Sequence, residues 1–93
     1  MILGEIVNIV RSTSFDKNVK KYKKDREIIK RLDNHIRNII ENPEAGDFLK
    51  GQMKGERKIY FPPFRLLYAY NKNEDTLYLL DFDHRDIIYK KKN

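Results

Sequence analysis

Asp83-His84-Arg85-Asp86 closes an apolar stretch with four residues able to carry charge. An imidazole titrates near neutral pH, with an ordinary value of about 6.5, and can move a proton in either direction. An arginine presents a planar fork of donors that fits a phosphate. Lys58 and Arg65 add two further cations, and Tyr60 and Tyr89 add phenols beside basic residues. Lys50, Lys54, Arg57, Lys58, Arg65 and Arg85 together could track a phosphate backbone, with Tyr60 and Tyr89 as stacking faces for unpaired bases. On RNA this set suggests a specific reaction. Metal-free cleavage needs one group to take the 2′-hydroxyl proton and another to protonate the leaving 5′-oxygen. It also needs cations to stabilise the extra negative charge on phosphorus. Lys58, Tyr60, His84 and Tyr89 are all able to handle protons, and the arginines and lysines supply the positive charge. Asp83 and Asp86 are expected to orient His84 and Arg85.

Each of these residues also has a plainer reading. Lysines often only coat a surface, and Phe64 and Tyr68 read as core. His35 follows Ile28 by seven residues, which puts it near the apolar stripe of a helix, as a partly buried structural histidine. Glu44, Asp47, Asp81, Asp83 and Asp86 could hold a hard cation, but their spacing matches no metal loop, so solvated or ion-paired carboxylates are expected. With two histidines and no cysteine, a transition-metal site is not expected. The phosphate-binding, dinucleotide-binding, zinc-protease and nucleophile-elbow motifs are all missing from the chain. No metal or cofactor is expected.

Composition sets the partner class. Twenty Lys and Arg against fourteen Asp and Glu leave a net charge of +6 in 93 residues. That excess attracts polyanions: nucleic acid, an anionic membrane surface or an acidic protein. No apolar run approaches the roughly 20 residues that cross a bilayer. The absence of cysteine removes disulfides and thiol chemistry. Met1 to Glu5 lacks the basic and apolar regions of a signal peptide, so a cytoplasmic protein is expected.

One domain spanning residues 1–93 must position these side chains. Ile6 to Val10 is rich in β-branched residues and predicts a strand. Ser14 is expected to cap a short helix carrying Phe15, Val19 and Tyr22 on one face. Ile28, Ile29, Leu32, Ile36, Ile39 and Ile40 recur at helical spacing from Asp25 to Glu41. Asn42-Pro43 ends that helix, because a residue before proline is driven out of the α region. Residues 48–55 read as a loop. Strands follow at Arg57–Phe61, Phe64–Tyr70 and Thr76–Phe82, with Pro62-Pro63 and Asn71–Asp75 as turns. The order β-α-α-β-β-β predicts an α+β fold: a small twisted, mainly antiparallel sheet with an N-terminal two-helix hairpin on one face. Period-two alternation then puts Lys58, Tyr60 and Arg65 on the face away from the helices.

The run "FDKNVKKYKKD", then "IIENPEAGDFLKG", "RKIYFPPFRLLYAY" and "LYLLDFDHRDIIY", resembles the RelE/ParE superfamily of type II toxin–antitoxin toxins. The likeness covers roughly Phe15 to Lys90, and its most specific parts are F-R-L-L-Y and the terminal H-R-D-I-I-Y. It implies a basic toxin that cuts mRNA in the ribosomal A site, in contact with 16S rRNA. It assigns catalytic roles to Lys58, Arg65, Arg85 and Tyr89. His84 matches a histidine that several branches use, and Asp47 lies nearest the acidic general base of another. Tyr60 stands where the best-known members carry a second lysine. The resemblance also implies a cognate antitoxin that wraps the basic body in a hetero-oligomer. ParE branches share the fold but poison DNA gyrase. A third alternative is a non-catalytic RNA-binding or antitoxin-binding module.

Overall fold

A computed structural model describes residues 8–49 and 55–84. The elements are β1 (Asn8–Arg11), α1 (Thr13–Lys21), α2 (Arg26–Glu41), β2 (Asp47–Phe48), β3 (Glu56–Phe61), β4 (Phe64–Asn71) and β5 (Thr76–His84). They form a five-stranded sheet in the order β1-β5-β4-β3-β2. β1 runs parallel to β5, and the other pairs are antiparallel. The α+β architecture with two N-terminal helices is as the residue pattern predicts. The two-residue β2 is an addition, since Phe48 was expected in a loop; Asp47 pairs with Lys58 and Phe48 with Arg57.

Both helices start at side-chain caps. Asp25 caps α2 by accepting from Ile28 N at 3.2 Å. Ser12, not Ser14, caps α1, accepting from Phe15 N at 3.0 Å. Tertiary structure selects Ser12. Its N–H donates to Leu79 O and its hydroxyl to Leu80 O, so the cap forms where β1 peels away from β5. A side chain that both caps a helix and ties it to the sheet satisfies more buried polar groups than Ser14 can.

The core lies between the sheet and the two helices. Phe15, Leu32, Ile39, Phe61, Phe64, Leu66, Tyr68, Leu77, Leu79 and Phe82 form one buried cluster. Burying a side chain of this size contributes about 1.5–3 kcal/mol. Tyr22, Phe61, Phe64 and Phe82 interlock with ring centroids 5.0–5.9 Å apart. Tyr68 is fully buried, yet its hydroxyl is satisfied: it donates to Pro43 O and accepts from Gly46 N, both at 2.8 Å. Gly46 is required here by close approach. A Cβ would stand 2.6 Å from Lys58 O and 2.9 Å from the Tyr68 ring.

A bulge in β5 decides which way its last residues face. Leu67 pairs with Asp81 and the next residue, Tyr68, pairs with Leu79, so Leu80 is the extra residue. Leu77 and Leu79 face the helices. Strict alternation would then turn Phe82 and His84 outward. Past the bulge, Phe82 pairs with Leu66 and His84 with Phe64, on the helix side.

Candidate functional site

Strand pairing lines up two rows of side chains across the sheet, on the side away from the helix-facing residues. Tyr60, Arg65 and Asp83 form one row; Asp47, Lys58, Leu67 and Asp81 form the next. Arg65 stands directly across from Tyr60, with its guanidinium carbon 4.9 Å from the centre of the phenol ring. Stacking of this kind restricts where a guanidinium can point. Tyr60 is 42% exposed, so the pair lies at an open end of the face. The centre of the face is closed: Leu67 is 1% exposed. The expected basic and aromatic face thus exists, but its accessible part is narrower than a bare sheet surface. What it can do is hold a phosphate between two cations beside a ring able to stack on a base.

The remaining predicted residues divide clearly. Arg57 lies on the helix side of β3, not with Lys58. It donates to Gly46 O at 2.7 Å and packs over the Phe48 ring at 3.7 Å. Strand alternation puts it there, and its fork is spent on the α2–β2 connection. His84 is separated from Lys58 and Arg65 by the sheet itself. Its ring meets Phe64 edge-on at 6.1 Å, on the side that the Leu80 bulge selects. The expectation that His84 points with Arg65 toward a scissile phosphate is therefore not met within β5. Lys50, Lys54, Arg85, Asp86 and Tyr89 lie outside the described residues.

Asp83 also fastens a helix to the sheet. β1 ends opposite Leu79, so the edge of β5 beyond it needs other partners. Asp81 Oδ1 accepts from Phe82 N at 2.8 Å and from Asn18 Nδ2 at 2.9 Å. Asp83 Oδ1 accepts from His84 N and from the Tyr22 hydroxyl, both at 2.7 Å, with Lys21 Nζ at 3.5 Å. Two carboxylates thus satisfy edge N–H groups and fasten α1 along the strand. The sequence signal was available in Asp81-Phe82-Asp83, where acids alternate with a core residue in a strand. Burial and the Asp83 hydrogen bond push the Tyr22 phenol up to about 12. His35 is partly buried as expected, its ring 4.7 Å from that of Phe61. Burial, and secondarily Arg31, lower its pKa. Among the described residues, no three His, Cys, Asp or Glu side chains converge as metal ligands. No helix among them is long and apolar enough to cross a membrane.

A family model for the ParE toxin of the type II toxin–antitoxin system parDE matches residues 9–89. A chain from Methanocaldococcus jannaschii named as toxin RelE4 is 31% identical over 81 residues, covering 85% of this chain and 86% of its own. This chain belongs to the RelE/ParE family of type II toxin–antitoxin toxins. The fold of this RelE/ParE toxin is that of solved relatives. The YoeB/ParE toxin from Agrobacterium tumefaciens superposes with a TM-score of 0.77 at 20% identity, over 84% of this chain and 98% of that one. The toxin chain matched in the Escherichia coli DinJ–YafQ toxin–antitoxin complex gives 0.76 at 19% identity, over 94% and 99%. That relative was crystallised with its antitoxin bound.

Proposed function

We propose that this toxin is a metal-independent endoribonuclease that cleaves mRNA in the ribosomal A site and so stops translation. The observation that carries the reading is the Tyr60–Arg65 pair with Lys58 one step along the same face. In the proposed reaction the 2′-oxygen attacks the adjacent phosphorus and gives up its proton to a base on the same face, the role assigned to Asp47, which pairs with Lys58. The bond to the 5′-oxygen breaks, and that oxygen takes a proton. A 2′,3′-cyclic phosphate and a free 5′-hydroxyl result. Arg65 binds the non-bridging oxygens and stabilises the charge that develops on them. Lys58 and Tyr60 lie on that face and carry protons suited to the leaving oxygen. Arg85 and Tyr89 are assigned to the same site by family resemblance. His84, on the other side of β5, is assigned a positioning role through Phe64. The resting partner is a cognate antitoxin whose acidic or amphipathic segment covers this basic face, in the cytoplasm.

The test is expression of the chain followed by mapping of mRNA 5′ ends. Codon-phased cuts are expected, lost in Arg65→Ala and Lys58→Ala variants that still fold. A transcriptome without such cuts would sink the reading. The description of the matching family model favours one competitor, a gyrase poison of ParE type. That activity would leave mRNA intact, trap cleaved DNA on gyrase, and persist in the Lys58→Ala variant.

A further inference from the structure

The Tyr60–Arg65 pair sits near the tip of a hairpin. Pro62 and Pro63 alone join β3 to β4, with Phe61 opposite Phe64 and Tyr60 opposite Arg65 one step further in. Neither proline carries an N–H, so the turn can accept hydrogen bonds from its neighbours but cannot donate them. Phe61 and Phe64 are buried, while both prolines are exposed. Two rings thus anchor the hairpin on the helix side, and its turn is left for a donor from another element.

Arg31 supplies that donor from α2. Its Nη2 donates to Pro62 O at 2.9 Å, and its guanidinium carbon stands 5.3 Å from the centre of the Phe61 ring. His35, one turn further along α2, lies against the same ring at 4.7 Å. Phe61 in turn stacks on Phe82, with centroids 5.8 Å apart and planes 2° from parallel. Guanidinium, imidazole and phenyl rings therefore form one packed unit that runs from α2 to the hairpin. A lone hydrogen bond at an exposed turn would hold little. A planar fork that bonds the turn carbonyl while lying over the neighbouring ring fixes two points at once. Those points, Phe61 and Pro62, directly follow Tyr60 in the chain. Lys58 lies two residues further from the tip, opposite Leu67. A tilt of the tip would move Tyr60 and Arg65 together and leave Lys58 in place.

We propose that Arg31 is a positioning residue, which clasps the β3–β4 turn and so sets where Tyr60 and Arg65 stand relative to Lys58. The clasp itself is independent of the nuclease reading above; its effect on the rate of cleavage rests on that reading. A misplacement of about 1 Å is enough to slow a reaction about 100-fold.

The test compares the unmodified chain with Arg31→Met, which keeps an apolar stem and removes the donors, and with Arg31→Lys, which keeps a donor. Single-turnover cleavage on ribosomes carrying a defined mRNA gives the maximal rate and the half-saturating toxin concentration. Fluorine NMR of chains grown with 3-fluorotyrosine reports on the Tyr60 ring, whose signal is identified by its loss in Tyr60→Phe. Circular dichroism confirms that each variant is folded. Arg31→Met is expected to lower the maximal rate by about ten-fold or more, with half-saturation within about two-fold of the unmodified chain. It should also shift the Tyr60 signal in the direction given by Arg65→Ala. Arg31→Lys is expected to recover the rate to within about three-fold, with the Tyr60 signal moved part of the way back. An unmoved Tyr60 signal in Arg31→Met overturns the proposal. So does a rise in half-saturation at an unchanged maximal rate, the mark of a cation that only attracts RNA. A Tyr60 signal that moves while the unmodified chain itself cuts no mRNA sinks the nuclease reading and leaves the clasp standing.

Discussion

The Tyr22 hydroxyl donates a 2.7 Å hydrogen bond to Asp83, 61 positions away, and this contact fastens the end of α1 to the edge of β5. A hydrogen bond to a charged group contributes about 1.5–3 kcal/mol. Tyr22→Phe should therefore lower the urea midpoint by a corresponding amount. The contact also fixes a pH response. The folded phenol is pushed up to about 12, whereas the unfolded one titrates near 10. Stability is complete below about pH 10 and is lost as pH rises toward 12. Tyr68, Tyr70 and Tyr78 are raised too, so Tyr22→Phe should flatten that alkaline fall in part. An alkaline profile unchanged by the substitution would contradict the assignment.

His35 gives the opposite edge of the pH range. Its folded pKa is lowered by burial and by Arg31, so the unfolded chain holds the proton more tightly. Stability is complete above the unfolded value of about 6.5. It declines as pH drops through the lower folded value, then levels off with respect to this group. Urea midpoints between pH 7.5 and 5.5 should fall in the native chain and stay flatter in His35→Gln. Equal slopes would mean that His35 is as easily protonated folded as unfolded.

Arg57 and Arg65 sit on adjacent strands, yet should fail in different ways. Arg57→Ala removes the bond to Gly46 O and the packing on Phe48. It should cost about 1–3 kcal/mol of stability and leave toxicity intact at permissive temperature. Arg65→Ala should abolish growth arrest in a chain that still folds at permissive temperature. Growth assays beside thermal melts of both variants decide the matter; swapped phenotypes would place Arg57 at the site.

Deleting Leu80 would remove the bulge and leave Leu79, Asp81 and Phe82 in regular alternation, so Phe82 keeps its place beside Phe61 and Phe64. The deletion would disturb the hydrogen bond from the Ser12 hydroxyl to Leu80 O, at a cost of about 1 kcal/mol. Both the deletion and Leu80→Ala should fold, with the deletion the less stable. Circular dichroism and urea midpoints of the two variants check this; an unfolded deletion variant would show that the bulge itself is needed.

Gly46→Ala tests the packing behind Lys58. The new methyl would meet Lys58 O and the Tyr68 ring at under 3.0 Å. Backbone in a paired strand cannot yield cheaply, so a loss of about 1–3 kcal/mol is expected. Because the displaced carbonyl belongs to Lys58, toxicity should fall as well. Toxicity at the native level with an unchanged melting temperature would show that the connection moves freely.

Much of this protein is local, and the local part is legible in the chain. The apolar spacing from Ile28 to Ile40 sets α2, because a helix repeats every 3.6 residues whatever it packs against. Alternation alone puts Lys58, Tyr60 and Arg65 on one face, since no irregularity interrupts β3 or β4 on the way. The same rule fails in β5, where one extra residue, Leu80, inverts the facing of Phe82 and His84. Leu80 carries no signal of that kind, because the bulge answers to β4 and not to its own neighbours. Ser12 takes the cap from Ser14, and Asp83 fastens α1 as well as holding the His84 N–H, for a related reason. In each case the deciding partner, Leu79, Leu80 or Tyr22, is more than 60 residues distant in the chain. Periodicity reports which side of an element is apolar. Which buried polar group meets which is decided by the tertiary packing, because that alone brings the partners within 3 Å.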